Sequence, residues 1–270
     1  MEVHHSPVRT IHHFACSGGT VVSKCIAVCG DSFFLSEVNP LAPYNDIKFA
    51  PLDLLSQLQA QYRNMTKQYR MEFFGDQMRL LARISDQAKR PICLRDHTHS
   101  SFFRPGGVHE SELLEALKVL GYDTLSVATV RHPVDAFAAM LKNKWAGGIQ
   151  NSFEIYCTKL MAFLDYCERR EVGLWRYEDF CLKPAETLGQ ICERLALPFN
   201  ENFLEDFQNI KLSGDSGRRS ADIHLRTRRS IAPDLAAEAA DSELYHTVCS
   251  RLGYTAAVDE YPLQRDFQSH

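Results

Sequence analysis

The sequence predicts an α/β fold, a three-layer α/β/α domain with a mostly parallel central sheet and a P-loop-like first turn. Three observations predict it. Short apolar runs alternate with stretches of helical periodicity, the pattern of βαβ units and not of a sandwich or a bundle. With 270 residues and 45% apolar composition the chain can bury one large core. Two anion-binding signatures, Cys16-Ser17-Gly18-Gly19-Thr20 and Arg131-His132-Pro133-Val134-Asp135, each stand where an apolar strand gives way to a helix.

Strands are expected at 10–15, 32–35, 91–95, 124–130 and 173–176, and helices at 20–28, 52–64, 69–88, 110–120, 135–142, 152–169 and 184–195. The first strand ends at the first glycine turn, and the fourth ends at the Arg131 turn. In the last helix Leu188, Ile191, Cys192 and Leu195 recur at i, i+3, i+4 and i+7, with Pro184 in the first turn. The stretch 100–108 holds Pro105-Gly106-Gly107, and 212–233 holds Gly214, Gly217 and a run of arginines, so both read as loops. One domain is expected over 1–270, with 1–9 as a mobile tail and 212–233 as a basic loop over the ligand. Loops after the carboxyl ends of parallel strands surround the ligand in such sheets.

A net charge of −4 argues against nucleic acid as a partner, because that needs a broad excess of Lys and Arg. Nine cysteines without CxxC pairs fit neither a disulfide framework nor a zinc site, and reduced thiols are expected. The segment Met1 to Pro7 has neither a basic start nor an apolar stretch, and no run reaches the length of a membrane span. A cytoplasmic location and no membrane span are the expectations. His4, His5, His12 and His13 invite a metal reading, but successive strand side chains face opposite ways, and no metal is expected.

A glycine turn at a helix start offers backbone N–H groups and the positive helix end, while Arg131 adds a guanidinium, so the pair suggests two phosphate-like groups on one ligand. The turn lacks the Lys-Ser/Thr end of a Walker A site, which disfavours a small-molecule kinase. Two glycines can also merely make a tight turn.

In these motifs the sequence resembles the PAPS-dependent sulfotransferase family, which moves a sulfonate from 3′-phosphoadenosine 5′-phosphosulfate (PAPS) to a hydroxyl or amine and releases 3′-phosphoadenosine 5′-phosphate (PAP). The resemblance covers most of the chain and implies a P-loop NTPase-like sulfotransferase architecture. Ser17-Gly18-Gly19-Thr20-Val21 resembles the 5′-phosphosulfate loop, with Ser17 where the family has a cation and Val21 where it has a second hydroxyl. Lys24 or Arg95 is then the substitute cation. Arg131 resembles the 3′-phosphate arginine, with Ala139 where a serine is usual, and Asp135 reads as a helix cap. Pro91-Ile92-Cys93-Leu94-Arg95-Asp96-His97 resembles the strand that ends at the catalytic base, which makes His97 the base with His99 and Glu37 as rivals. Tyr177 resembles the adenine-contacting tyrosine, and Gly217-Arg218-Arg219 the late loop over the 3′-phosphate. The late arginines, Arg228 among them, read equally as a solvated basic loop.

The resemblance implies no metal and a small-molecule or glycan acceptor. Acceptor loops are expected at 39–51, 99–110 and 142–150, with Tyr44, Phe49, Phe102, Phe103 and Trp145 as pocket candidates. The rival classes are the kinase and a nucleotide-binding module without catalysis. Oligomeric state stays open, a homodimer included.

Overall fold

A computed structural model of the chain describes residues 6–41, 54–62, 65–103, 109–212, 223–225, 228 and 230–258, without the side chains of 56, 59 and 60. The elements run β1 (Val8–His13), α1 (Gly19–Ala27), β2 (Phe33–Val38), α2 (Leu54–Gln61), α3 (Lys67–Ala88), β3 (Ile92–Asp96), α4 (Thr98–Phe102), α5 (Glu112–Val119), β4 (Thr124–Val130) and α6 (Pro133–Lys142). They continue through a 3₁₀ turn (Ala146–Ile149), α7 (Phe153–Arg169), β5 (Gly173–Arg176), α8 (Tyr177–Leu182), α9 (Pro184–Arg194), α10 (Phe203–Asp206), a second 3₁₀ turn (Phe207–Asn209), α11 (Pro233–Asp241) and α12 (Glu243–Leu252).

The strands form one sheet in the order β2-β3-β1-β4-β5, every pairing parallel. Alternation along the strands divides the core. Ile11, Cys93 and Val127 face α1 and α9, where Val21, Val22, Ile26, Leu188 and Ile191 meet them. On the other face Val8, Ile92 and Leu94 pack on α3 and α5 through Met78, Leu113 and Leu117. Ala128 and Val130 pack there on α6, α7 and α12. This is the three-layer α/β/α arrangement that the sequence predicts.

The fourth and fifth strands fall where expected, the first and third shift by two residues and one, and β2 starts one residue later and ends three later than expected. β1 starts at Val8, inside the expected tail, because Val8 is fully buried against β3 and β4. Phe102, expected in a loop, ends α4 and is fully buried against Phe163 and Tyr166, so it is core and not pocket lining. Helices α11 and α12 were not expected; Ser242 caps α12 by accepting from the Tyr245 N–H, and Gly253 closes it at φ 65°.

Sheet order positions the site. After β1 the chain crosses to the edge strand β2, returns to β3, and then passes to the far side of β1 as β4. The crevice outside the carboxyl ends of β1, β3 and β4 is therefore the switch point of a doubly wound sheet, where such folds bind ligands. The register pairs His13 of β1 with Thr129 of β4, so the Gly18 turn and the Arg131 turn leave adjacent strands at the same level.

Candidate functional site

The first turn is built so that a side chain would obstruct it. Gly18 adopts φ +77°, and a Cβ there would stand 2.8 Å from Tyr177 Cγ and overlap the ring carbons beyond it. A Cβ on Gly19 would overlap the His13 ring, whose Cδ2 would lie 2.6 Å away. Glycine at 18 therefore answers both the left-handed backbone and the close approach of an aromatic face. Gly18 N-caps α1, and no side-chain cap takes up the first N–H groups of the helix.

Below the turn lies a buried polar layer. His13 bonds Thr129 Oγ1 at 2.5 Å and Ser23 Oγ at 2.9 Å, and burial presses its imidazole well below the ordinary value. Ser17 is 1% exposed, and its hydroxyl meets Thr129 Oγ1 at 3.3 Å, so it faces the protein and not the crevice. Val21 is also turned away: its side chain packs in the core and its N–H bonds the Gly18 carbonyl. Thr20 stays half-buried in the first helical turn, whereas Lys24 lies in the last turn of α1.

The opposite wall comes from β4 and β5. The Arg131 guanidinium stands 5.8 Å over the Tyr177 ring, and Tyr177 in turn abuts Gly18. Among the described residues Arg131 carries no ion pair, while its neighbours are tightly bound. The buried Arg176 forks onto Asp179, at 2.7 and 3.0 Å, and donates to the carbonyls of Leu252 and Gly253 at the end of α12. Asp135 does not cap α6. The N-cap is His132, without a side-chain cap, and Asp135 instead pairs with Arg228 at 3.0 Å. Arg228 also donates to the carbonyls of Ala257 and Val258, so this half-buried arginine is a clamp and not part of a solvated loop. Gly217, Arg218 and Arg219 lie outside the described residues, as do Tyr44 and Phe49.

The third group gathers at the carboxyl ends of β2 and β3. Glu37 sits at φ 61° beside a register shift between Leu35 and Val38, an irregularity of the kind that re-aims a strand side chain. Its carboxylate contacts Arg95 Nη2 at 3.1 Å and His97 Nε2 at 3.5 Å. Arg95 also donates to Ser36 Oγ at 3.2 Å and is 9% exposed. The structure thus joins three residues that the sequence offers as separate candidates. The ring of His99 lies 4.0 Å from that of His97. Crowding by surrounding atoms, and then His97, press His99 down to about 4, but the residue is exposed and water offsets part of that push. Geometry separates the two more firmly, since among the described residues no carboxylate contacts His99.

Asp96 anchors this corner. One carboxylate oxygen accepts from His12 Nδ1 at 2.9 Å, Thr98 at 3.2 Å and Ser111 at 3.0 Å, tying β1, α4 and α5 together. Sequence reasoning passed over Asp96, Ser36 and Asn143. Asn143, whose amide reaches Cys16 Sγ at 4.0 Å, lies one helical turn beyond Ala139 on the same face of α6, and that i, i+4 spacing was its one available signal. Of the other acceptor candidates, Phe103 packs edge-on against Phe14 at 5.2 Å and Trp145 is 54% exposed.

Among the described residues no cluster of His, Cys, Asp and Glu is arranged to hold a metal ion, and no helix is long and apolar enough to cross a membrane. All nine cysteines are free thiols.

Comparison with solved structures places the architecture. The sulfotransferase domain of the Synechococcus PCC 7002 olefin synthase superposes with a TM-score of 0.51 at 16% identity, over 91% of this chain and 96% of that one. The fold is that of a sulfotransferase domain. A sulfotransferase from Alicyclobacillus acidocaldarius aligns with a TM-score of 0.47 at 14% identity, over 92% of this chain and 94% of that one. No family model matches the sequence, and no curated protein matches it.

Proposed function

We propose that this protein is a sulfotransferase that uses PAPS as donor and a hydroxyl or amine of a small-molecule or glycan as acceptor. The observation that carries the reading is the convergence of the Gly18 and Arg131 turns, with the Tyr177 ring between them. The residues present fit such a donor: a helix start with no side-chain cap, a floor that a Cβ would fill, a flat ring and a guanidinium without an ion pair among the described residues. PAPS, when bound, supplies the sulfonate and a leaving group with two further anionic sites.

In this reading the N–H groups of Gly18 to Thr20 hold the 5′-phosphosulfate, Tyr177 meets the adenine, and Arg131 holds the 3′-phosphate. Arg95 neutralises charge that develops at the reacting centre; Ser36 and Glu37 fix its guanidinium in advance, so little reorganisation is needed. His97 takes the acceptor's proton. With Glu37 beside Nε2, that nitrogen carries the hydrogen and Nδ1 is left to accept. Glu37 is the second candidate base, being in contact with the same two residues. Lys24, in the last turn of α1, is the less favoured substitute cation.

Calorimetry with PAP tests the donor, with magnesium and ATP as the comparison. PAP binding without metal, weakened at least tenfold in Arg131→Ala, is the expected result, the loss of one charge-assisted contact being worth that much. A preference for magnesium-ATP would replace this reading with the kinase. A second reading, a module that binds the nucleotide and transfers nothing, is favoured by the lack of any Lys or Arg between Phe14 and Thr20. Turnover of any acceptor eliminates it.

A further inference from the structure

Glu178 is a buried carboxylate, 2% exposed, that the proposed chemistry does not use. One of its oxygens accepts the His132 N–H at 3.0 Å, and the other accepts the Tyr254 hydroxyl at 2.6 Å. His132 is the N-cap of α6, so the N–H that Glu178 holds belongs to the turn that begins with Arg131. The same turn is gripped from its other side, where His132 Nε2 meets the Thr255 carbonyl at 2.9 Å. Burying an ionisable carboxyl is costly, and burial raises its affinity for protons here; the two donors and the nearby Arg131 work against that push. A site that merely needed filling would be served by an apolar side chain at lower cost.

We propose that Glu178 is a positioning residue for the donor site: its carboxylate fixes the backbone of the Arg131 turn and thereby the direction in which the guanidinium points. The inference rests on the reading of Arg131 as the contact to the donor's 3′-phosphate. Tyr177 and Glu178 are adjacent in the chain and serve one purpose from opposite ends, the ring lying under the Arg131 guanidinium and the carboxylate holding the backbone beside it. Tyr254 extends the arrangement to the segment after α12, whose own carbonyls Arg176 holds.

The test compares two probes, PAP and adenosine 5′-monophosphate (AMP), which differ by the 3′-phosphate that Arg131 would meet. Their affinities are measured for wild type, Glu178→Ala, Glu178→Gln and Tyr254→Phe. Displacement of a binding group by an ångström costs of order ten- to a hundredfold. Glu178→Ala is therefore expected to weaken PAP at least tenfold and leave AMP unchanged. Glu178→Gln keeps a carbonyl oxygen for the His132 N–H, and its amide can donate to the Tyr254 oxygen, so it is expected to stay close to wild type. Tyr254→Phe frees one carboxylate oxygen without unfolding the helix ends, and it should weaken PAP selectively by about threefold, a fraction of the full displacement. It decides the question if Glu178→Ala does not fold. Equal loss of PAP and AMP affinity, or an unchanged ratio in Tyr254→Phe, would overturn the inference and leave the donor reading intact. Wild-type protein without a preference for PAP over AMP would remove the donor reading, and the inference with it.

Discussion

Replacing Gly18 by alanine isolates the contact between the first turn and the Tyr177 ring. Two costs are expected. A non-glycine residue at φ +77° carries about 1 kcal/mol of backbone strain. The new Cβ would also stand 2.8 Å from Tyr177 Cγ and closer still to two further ring carbons, so the ring must leave its place. Displacing it forfeits the Arg131 cation–π contact and local packing, together about 1–2 kcal/mol. Gly18→Ala should therefore lose about 2–3 kcal/mol in urea unfolding. In a Tyr177→Ala background the ring is gone, and the same substitution should cost only the strain, about 1 kcal/mol. The double-mutant cycle then shows a coupling of about 1–2 kcal/mol. Additive costs would show that the ring does not rest on the glycine, and would refute the geometry on which the donor site is built. Because the assay is unfolding, the result is independent of any ligand.

Two further predictions concern the other elements of the site. His97→Ala should lower kcat by a hundredfold or more, the usual worth of a general base, with PAP affinity unchanged; Glu37→Gln, which keeps the contacts but not the charge, should lower kcat less, and the reverse ranking would make Glu37 the base. His132 is fully buried and pressed down to about 4, by burial first and then by Arg228. The unfolded chain therefore takes up this proton first: the stabilising effect of the neutral ring is complete above the ordinary value of about 6.5 and is lost as pH falls towards 4, by about 3 kcal/mol at most. Glu178 opposes this at the acid end, because burial raises its proton affinity. Urea unfolding from pH 7 to 4.5 should give a shallower slope for His132→Gln, whose amide can still donate to the Thr255 carbonyl, and an unchanged slope would show that the imidazole does not titrate in this window.

The strands and their signatures were legible because they depend on local properties. Short apolar runs placed β4 and β5 at their observed bounds, and glycine in the first turn announced a backbone that other residues adopt with strain. Less was legible where a short side-chain pattern was hidden. In α11 only Leu235 and Ala239 are buried, too narrow a stripe to read, whereas α12 offered Ser242, a Tyr245-Val248-Cys249-Leu252 face and Gly253, and could have been read.

What the sequence by itself supplied was the inventory of the candidate site: a glycine turn, Arg131, Tyr177, Arg95, His97 and Glu37, each at the end of a strand. What only the tertiary structure decided was which of them meet. Glu37, Arg95 and His97 come together because β2 and β3 are neighbours, and Gly18 meets Tyr177 and Arg131 because β1 pairs with β4 and β4 with β5. Sheet order is set by which faces the intervening helices can cover, a property of the whole chain, so no local stretch of residues carries it. The same holds for Ser17 and Asp135. Each was expected to serve its own turn, in the phosphosulfate loop or as a helix cap, yet its partner, Thr129 or Arg228, is supplied by a distant segment that folding alone brings within reach.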